Sequence, residues 1–211
     1  MSRAYGGLTA DERVALRRGK LLDAVVELFG TRGFDATCVR DVCRAAGLTD
    51  RYFYESFAGT RALFVAVFDR ATEELFRAVA DAVLAAEPEP EPQLRAAIGA
   101  FVRRLADDPR LARIVFSEAG GAGAEVEQHL RGTLRRFAAL VAATARPHLG
   151  DADDDLVEVL ALSLVGTLEQ VVVNWQDGHL DADEDRIVEL VVELFLAFFA
   201  GVRRPRARGP R

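Results

Sequence analysis

Apolar residues recur along this chain at three- and four-residue spacing, and no run alternates in the manner of a half-buried strand. The pattern predicts an all-α fold of about nine helices. Thr9, Ala10, Asp11 and Glu12 have capping-box spacing and start the first helix. Its apolar face is Leu21, Leu22, Val25, Leu28 and Phe29, and Gly30 and Gly33 close it. A short helix follows Thr37 and ends at Gly47; another follows Thr49 and ends near Phe57. A long helix runs from about Thr60 to Ala86. The alternating Glu and Pro from Glu87 to Pro92 break it, because proline lacks a backbone donor. Further helices are expected from about Gln93 to Ala106, Pro109 to Ala119, Ala124 to Arg146, Asp154 to Gln176 and Asp183 to Val202. Gly120 to Gly123 is a loop, and Arg203 to Arg211 an Arg/Pro-rich tail read as disordered.

The segment TCVRDVCRAAGLTDRYFYESF, residues 37–57, carries the densest information. It reads as two short helices around a turn at Gly47, where glycine supplies the backbone freedom. Val39, Val42, Cys43 and Ala46 can pack inward from the first helix, and Leu48, Phe53 and Phe57 from the second. Thr49 can cap the second helix, leaving its positive dipole end toward solvent or phosphate. The outward face of that helix is Asp50, Arg51, Tyr52 and Ser56, with Tyr54 at its edge. Such a short helix bearing Arg and Tyr suits the major groove of DNA. The competing reading places all the aromatics in a core, which Phe53 and Phe57 fit well.

Residues 29–64 resemble the N-terminal signature of the TetR family of transcriptional regulators. The resemblance rests on Leu28-Phe29, Gly33-Phe34, Thr37, Val39-Arg40-Asp41-Val42, Ala46-Gly47-Leu48-Thr49, Tyr54 to Phe57, and Leu63-Phe64. It implies a helix-turn-helix domain over residues 9–58, and a ligand-binding and dimerisation domain over residues 59–202, ahead of the tail at 203–211. It implies that Thr37, Thr49 and Tyr54 hold phosphates, while Arg40, Arg51 and Tyr52 reach base edges. The family often places a lysine where this chain has Thr60; Arg61 stands next to it as a replacement. Arg51 occupies a position where many members carry a small residue, which implies a distinct operator preference.

Charge sharpens this picture. The chain is formally -6, yet residues 1–70 hold 11 basic and 9 acidic side chains while the remainder is acidic. The basic share thus lies where a DNA-binding unit is expected. Cys38 and Cys43 are too close together to staple a fold and lack partners for a zinc site. Both read as small packing residues, with oxidant sensing at Cys38 as the sharper alternative. The Asp151-Asp153-Asp155 and Asp181-Asp183-Asp185 runs lack the glycine and the final acid of a calcium loop, and read as helix-start acids. No metal and no cofactor is expected. The first ten residues lack an apolar signal core, and no run reaches the ~18 consecutive apolar residues of a membrane span, so the expected setting is the cytoplasm without a membrane partner.

The C-terminal helices carry the remaining candidates. Leu190, Val191, Leu194, Phe195 and Phe198 are too apolar for a solvated face, and Val165, Leu168 and Val172 offer a matching side on the helix before. Together they are expected to form a four-helix homodimer interface, as the family resemblance implies. That resemblance also implies an effector pocket lined by Phe76, Phe101, Phe116 and Phe137. Ser163, Thr167, Gln170 and Asn174 fall within about 60° of one another on an otherwise apolar helix. Such polar groups need partners: a ligand, a second subunit or solvent. The partners expected are therefore double-stranded DNA with a palindromic operator, a second copy, and a small apolar or amphipathic effector. The competing functions are an architectural DNA binder without effector, and an enzyme on a helical scaffold using Glu118, Glu169 or His129.

Overall fold

The computed structural model describes residues 9–118 and 123–203. Among them are nine α-helices and no strand: α1 (Ala10–Arg32), α2 (Val39–Ala46), α3 (Asp50–Ser56), α4 (Thr60–Ala85), α5 (Pro90–Asp107), α6 (Pro109–Ala112), α7 (Ala124–Ala145), α8 (Asp154–Gln176) and α9 (Glu184–Arg203). The loop expected at 120–123 lies outside the described residues except for Gly123, as does the tail beyond Arg203.

The capping box forms as read. Thr9 Oγ1 accepts from the Glu12 amide at 3.2 Å, and the Glu12 carboxylate accepts from the Thr9 amide at 2.6 Å. That backbone bond, then the Thr9 hydroxyl, holds the Glu12 carboxyl below its ordinary range. Two boundaries differ from expectation. α5 begins at Pro90 rather than after Pro92, because the first turn of a helix has amides without intrahelical partners and tolerates proline. The helix expected from Pro109 becomes α6 followed by a π-helical stretch, Arg113–Glu118.

Gly30 does not end α1, which runs on to Arg32. A Cβ at Gly30 would meet the Arg110 Cβ at 2.3 Å, so the glycine lets α6 press against α1. Gly33, at φ 90°, is the residue that stops the helix.

The chain packs as two compact units, neither contiguous in sequence. The first takes residues up to Thr72 together with Pro109–His129. This unit joins the helix-turn-helix to the first half of α4, through Phe64 against Phe29 and Phe34, and to the α6 region, through α6 against α1. Phe29, Phe34 and Phe64 form its aromatic centre, with ring centroids 5.2–5.6 Å apart. Burying one such ring stabilises by about 1.5–3 kcal/mol.

The second unit takes Glu73–Asp108 and the described residues from Leu130 to Arg203. Here α5 packs on α9, with Ile98, Val102 and Leu105 buried on one and Ile187, Val191, Val192, Phe195 and Phe199 on the other. Phe137 sits edge-on to Phe76 at 5.3 Å and to Phe101 at 6.1 Å. Trp175 donates its indole N–H to the Ala182 carbonyl at 2.8 Å, fixing the turn between α8 and α9.

Candidate nucleic-acid interface

α2 and α3 meet through a turn that only a left-handed residue closes. Gly47 has φ 64°, and the next amide, Leu48, returns to the Cys43 carbonyl at 2.9 Å. Val42 and Phe53 are fully buried, and Cys43 and Phe57 nearly so; these anchors set the helix pair against α1. Burial, reinforced by the Asp50 carboxylate, pushes the Cys43 thiol up to about 11, so it stays protonated and inert.

Cys38 departs from the packing role expected of it. It is exposed and caps α2, with the Asp41 carboxylate accepting from its amide at 3.3 Å and from its thiol at 3.1 Å. Those two bonds, the thiol's first, hold the Asp41 carboxyl below its ordinary range.

α3 presents its expected face with corrections. Arg51, its side chain 84% exposed, and Tyr54, 61% exposed, point away from the core. Arg40 on α2 and Arg61 at the start of α4 are also exposed, Arg61 lying beside Gly123. Thr49 occupies the N-cap position of α3 but its side chain makes no cap bond, contrary to expectation. Ser56 is half-buried. Asp50 is exposed, and its carboxylate adds to the rise of the Cys43 thiol. Thr37 is buried, and its hydroxyl donates to the Gly33 carbonyl at 2.8 Å. A phosphate offers only acceptors, so a hydroxyl whose proton is already committed cannot serve it; Thr37 braces the α1–α2 turn instead.

Three residues escaped the sequence reading. Arg17 on α1 lies over the Tyr52 ring, its guanidinium carbon 4.3 Å from the centroid, and Arg18 lies over Phe57 at 4.5 Å. Glu55 accepts from Arg51 Nε at 3.2 Å and from Arg17 Nη2 at 3.4 Å. Their signal was available: two arginines just ahead of the buried stretch of α1, and a carboxylate one turn after Arg51. Together the four residues Arg17, Arg51, Tyr52 and Glu55 make a cationic array on the exposed side of α3, suited to phosphates and base edges.

In the second unit, Val172, Val191 and Phe195 are buried in the protomer's own core and are not available to a partner. Val165 and Leu168 are half-buried. Leu190, Leu194 and Phe198 are exposed on α9, and Val159 and Leu162, which were not anticipated, are exposed on α8. α8 is long and apolar enough to cross a membrane by length and composition, although no unbroken apolar run marks it in the sequence. In the polar stripe, Ser163 donates to the Val159 carbonyl, and Asn174 gives one amide N–H to the Gln170 carbonyl. Gln170 is exposed and Thr167 half-buried. Phe76 and Phe101 each stand edge-on to Phe137. His129 and Asp69 pair at 2.8 Å in the first unit, and in the second burial raises the carboxyl of Glu169. Among the described residues no cluster could hold a metal.

Comparison with known proteins agrees with this geometry. Residues 21–67 match the family described as bacterial regulatory proteins, tetR family. The HTH-type transcriptional activator FasR of Mycolicibacterium smegmatis is 32% identical over 100 residues, 47% of this chain and 45% of that protein. The chain thus aligns with less than half the length of that curated relative. The fold is shared with the fatty acid degradation regulator FadR of Bacillus halodurans, at a TM-score of 0.76 and 20% identity over 90% of this chain and 97% of that one. FadR of Bacillus subtilis, solved in complex with stearoyl-CoA, gives 0.75 and 18% over 85% and 97%. A TetR-like regulator of Rhodococcus sp. RHA1 gives 0.70 and 23% over 89% and 97%.

Proposed function

We propose that the chain is a member of the TetR family of bacterial regulatory proteins, which its residues 21–67 match, and that it is a homodimeric, cytoplasmic repressor that leaves a palindromic operator when it binds a fatty acyl thioester. The observation that carries the DNA-binding part is the outward face of α3. An exposed Arg51 and Tyr54 stand on the second helix of a helix-turn-helix whose other face is locked into a core. Arg51 and Tyr52 read base edges, Arg40 adds to them, and Thr49, Tyr54 and Arg61 hold the backbone. Arg17 and Arg18 add cationic anchors from α1.

Dimerisation follows from the exposed apolar side chains of α8 and α9. Leu162, Leu190, Leu194 and Phe198 form the face that a second copy covers. α8 serves this face rather than a bilayer, since Val157, Leu160, Ala161 and Leu164 are already buried inside the protomer and Glu169 interrupts the other side. Two copies place two recognition helices about 34 Å apart, one turn of DNA.

The effector class comes from chemistry and likeness together. Phe76, Phe101 and Phe137 supply apolar walls, with Thr167 and Asn174 as candidate polar groups, which suits an amphipathic ligand. One structural relative was solved with stearoyl-CoA. The test is selection of genomic fragments by the purified protein, followed by titration of the selected duplex with stearoyl-CoA. An enriched inverted repeat that the thioester releases supports the reading. Release by neither stearoyl-CoA nor shorter acyl thioesters removes the effector; absence of any enriched motif removes the DNA-binding function.

A further inference from the structure

A carboxylate on a helix that faces DNA is repelled by phosphates, so Glu55 needs a reason to stand on α3. We propose that Glu55 is a positioning residue that sets the base preference of Arg51, held in place by Arg17 and Tyr52. The inference rests on the reading of α3 as the DNA-reading helix.

Arg51 is the residue that Glu55 holds. Its side chain is almost entirely in solvent, and a free arginine there samples many rotamers. A guanidinium also has two ways to offer a pair of donors: side-on, through Nε and one Nη, or end-on, through both Nη groups. The Glu55 carboxylate occupies Nε through Oε1 at 3.2 Å. That bond removes the side-on mode and leaves the end-on pair for the two acceptors of a guanine edge.

Glu55 is itself held. Its Oε2 accepts from Arg17 Nη2 at 3.4 Å, and Arg17 lies over the Tyr52 ring, 4.3 Å from its centroid. Arg51 and Glu55 are four residues apart and Tyr52 and Glu55 three, so all three share one side of α3. One carboxylate between two guanidiniums leaves the array net positive, so attraction to phosphate survives.

The test compares full-length wild type, Glu55→Gln, Glu55→Asp and Arg51→Ala in parallel selections from a random-sequence duplex library. Fluorescence anisotropy then gives the ratio of affinities for the selected duplex and for random-sequence duplex. Glu55→Gln is expected to widen base preference at the same position of each half-site as Arg51→Ala. Its affinity ratio should fall about two- to five-fold, the scale of a surface ion pair. Glu55→Asp keeps the charge but cannot span both arginines, and should widen the same position; this separates positioning from charge and stands in should Glu55→Gln fold poorly. In an Arg51→Ala background Glu55→Gln should add nothing to the preference. A Glu55→Gln motif identical to wild type, or a change that persists without Arg51, overturns the role of Glu55 while leaving DNA binding intact. A wild type that enriches no motif overturns both.

Discussion

Arg17 on α1 stacks on Tyr52 of α3, its guanidinium carbon 4.3 Å from the ring centroid. The contact makes α1 part of the DNA-facing surface and couples the orientation of α3 to its neighbour. A cation so placed meets phosphates, which carry no sequence code. Arg17→Ala should therefore weaken binding to every sequence and reduce the slope of log affinity against log salt by about 1, and, because Arg17 holds Glu55, it should also widen the base preference that Arg51 sets. Titrations at several salt concentrations check this; an unchanged slope would place Arg17 outside the interface.

Two glycines of α1 should respond to alanine with opposite signs. Gly19 lies in mid-helix with open space where a Cβ would stand. Gly19→Ala should stabilise by about 1 kcal/mol, the helix-propensity difference. At Gly30 the Cβ would lie 2.3 Å from that of Arg110, and Gly30→Ala should destabilise by about 1–3 kcal/mol, as overpacking does. Each 1 kcal/mol shifts Tm by about 2–4 °C in a chain of this size. Thermal melts showing the same sign for both would contradict the α1–α6 packing.

The contrast between these glycines marks where the sequence was readable. The helices, the αL turn at Gly47 and the outward Arg51 face were legible because period, capping and turn chemistry are local. Gly30 looked like a stop signal because its true partner, Arg110, is 80 positions away and invisible to local pattern. Thr37 was misread for a related reason: a threonine ahead of a helix looks like a cap or phosphate ligand until its donor is seen spent on Gly33. In α9 the period showed one apolar helix, but not that Val191 and Phe195 turn inward while Leu194 and Phe198 turn outward.

Glu169 offers a pH-dependent check. Burial raises its carboxyl above the ordinary value, so the folded state holds the proton more tightly than the unfolded state does. The contribution is fully present below the unfolded value and is lost as pH rises through the folded one. Glu169→Gln should accordingly raise Tm at pH 7, by less than the ~2–4 °C that 1 kcal/mol produces, and the gain should vanish at pH 4 and below. A gain independent of pH would show that ionisation is not its cause.

Phe198 is 44% exposed on α9 in a run with Leu190 and Leu194. Replacing it by glutamate places a charge where a second copy should sit, and burying an unpaired charge is costly. Sedimentation at micromolar concentration should give a dimer for wild type and a monomer for Phe198→Glu, with operator binding lost. A monomeric wild type would contradict the assignment of this face.

The central claim is that α3 reads DNA sequence through Arg51. Its most direct test is the affinity of wild type and Arg51→Ala for the selected duplex and for a set with each half-site position replaced in turn. Arg51→Ala should cost about 1–3 kcal/mol on the selected duplex and abolish discrimination at one position per half-site. Unchanged affinity together with an unchanged preference at every position would contradict it.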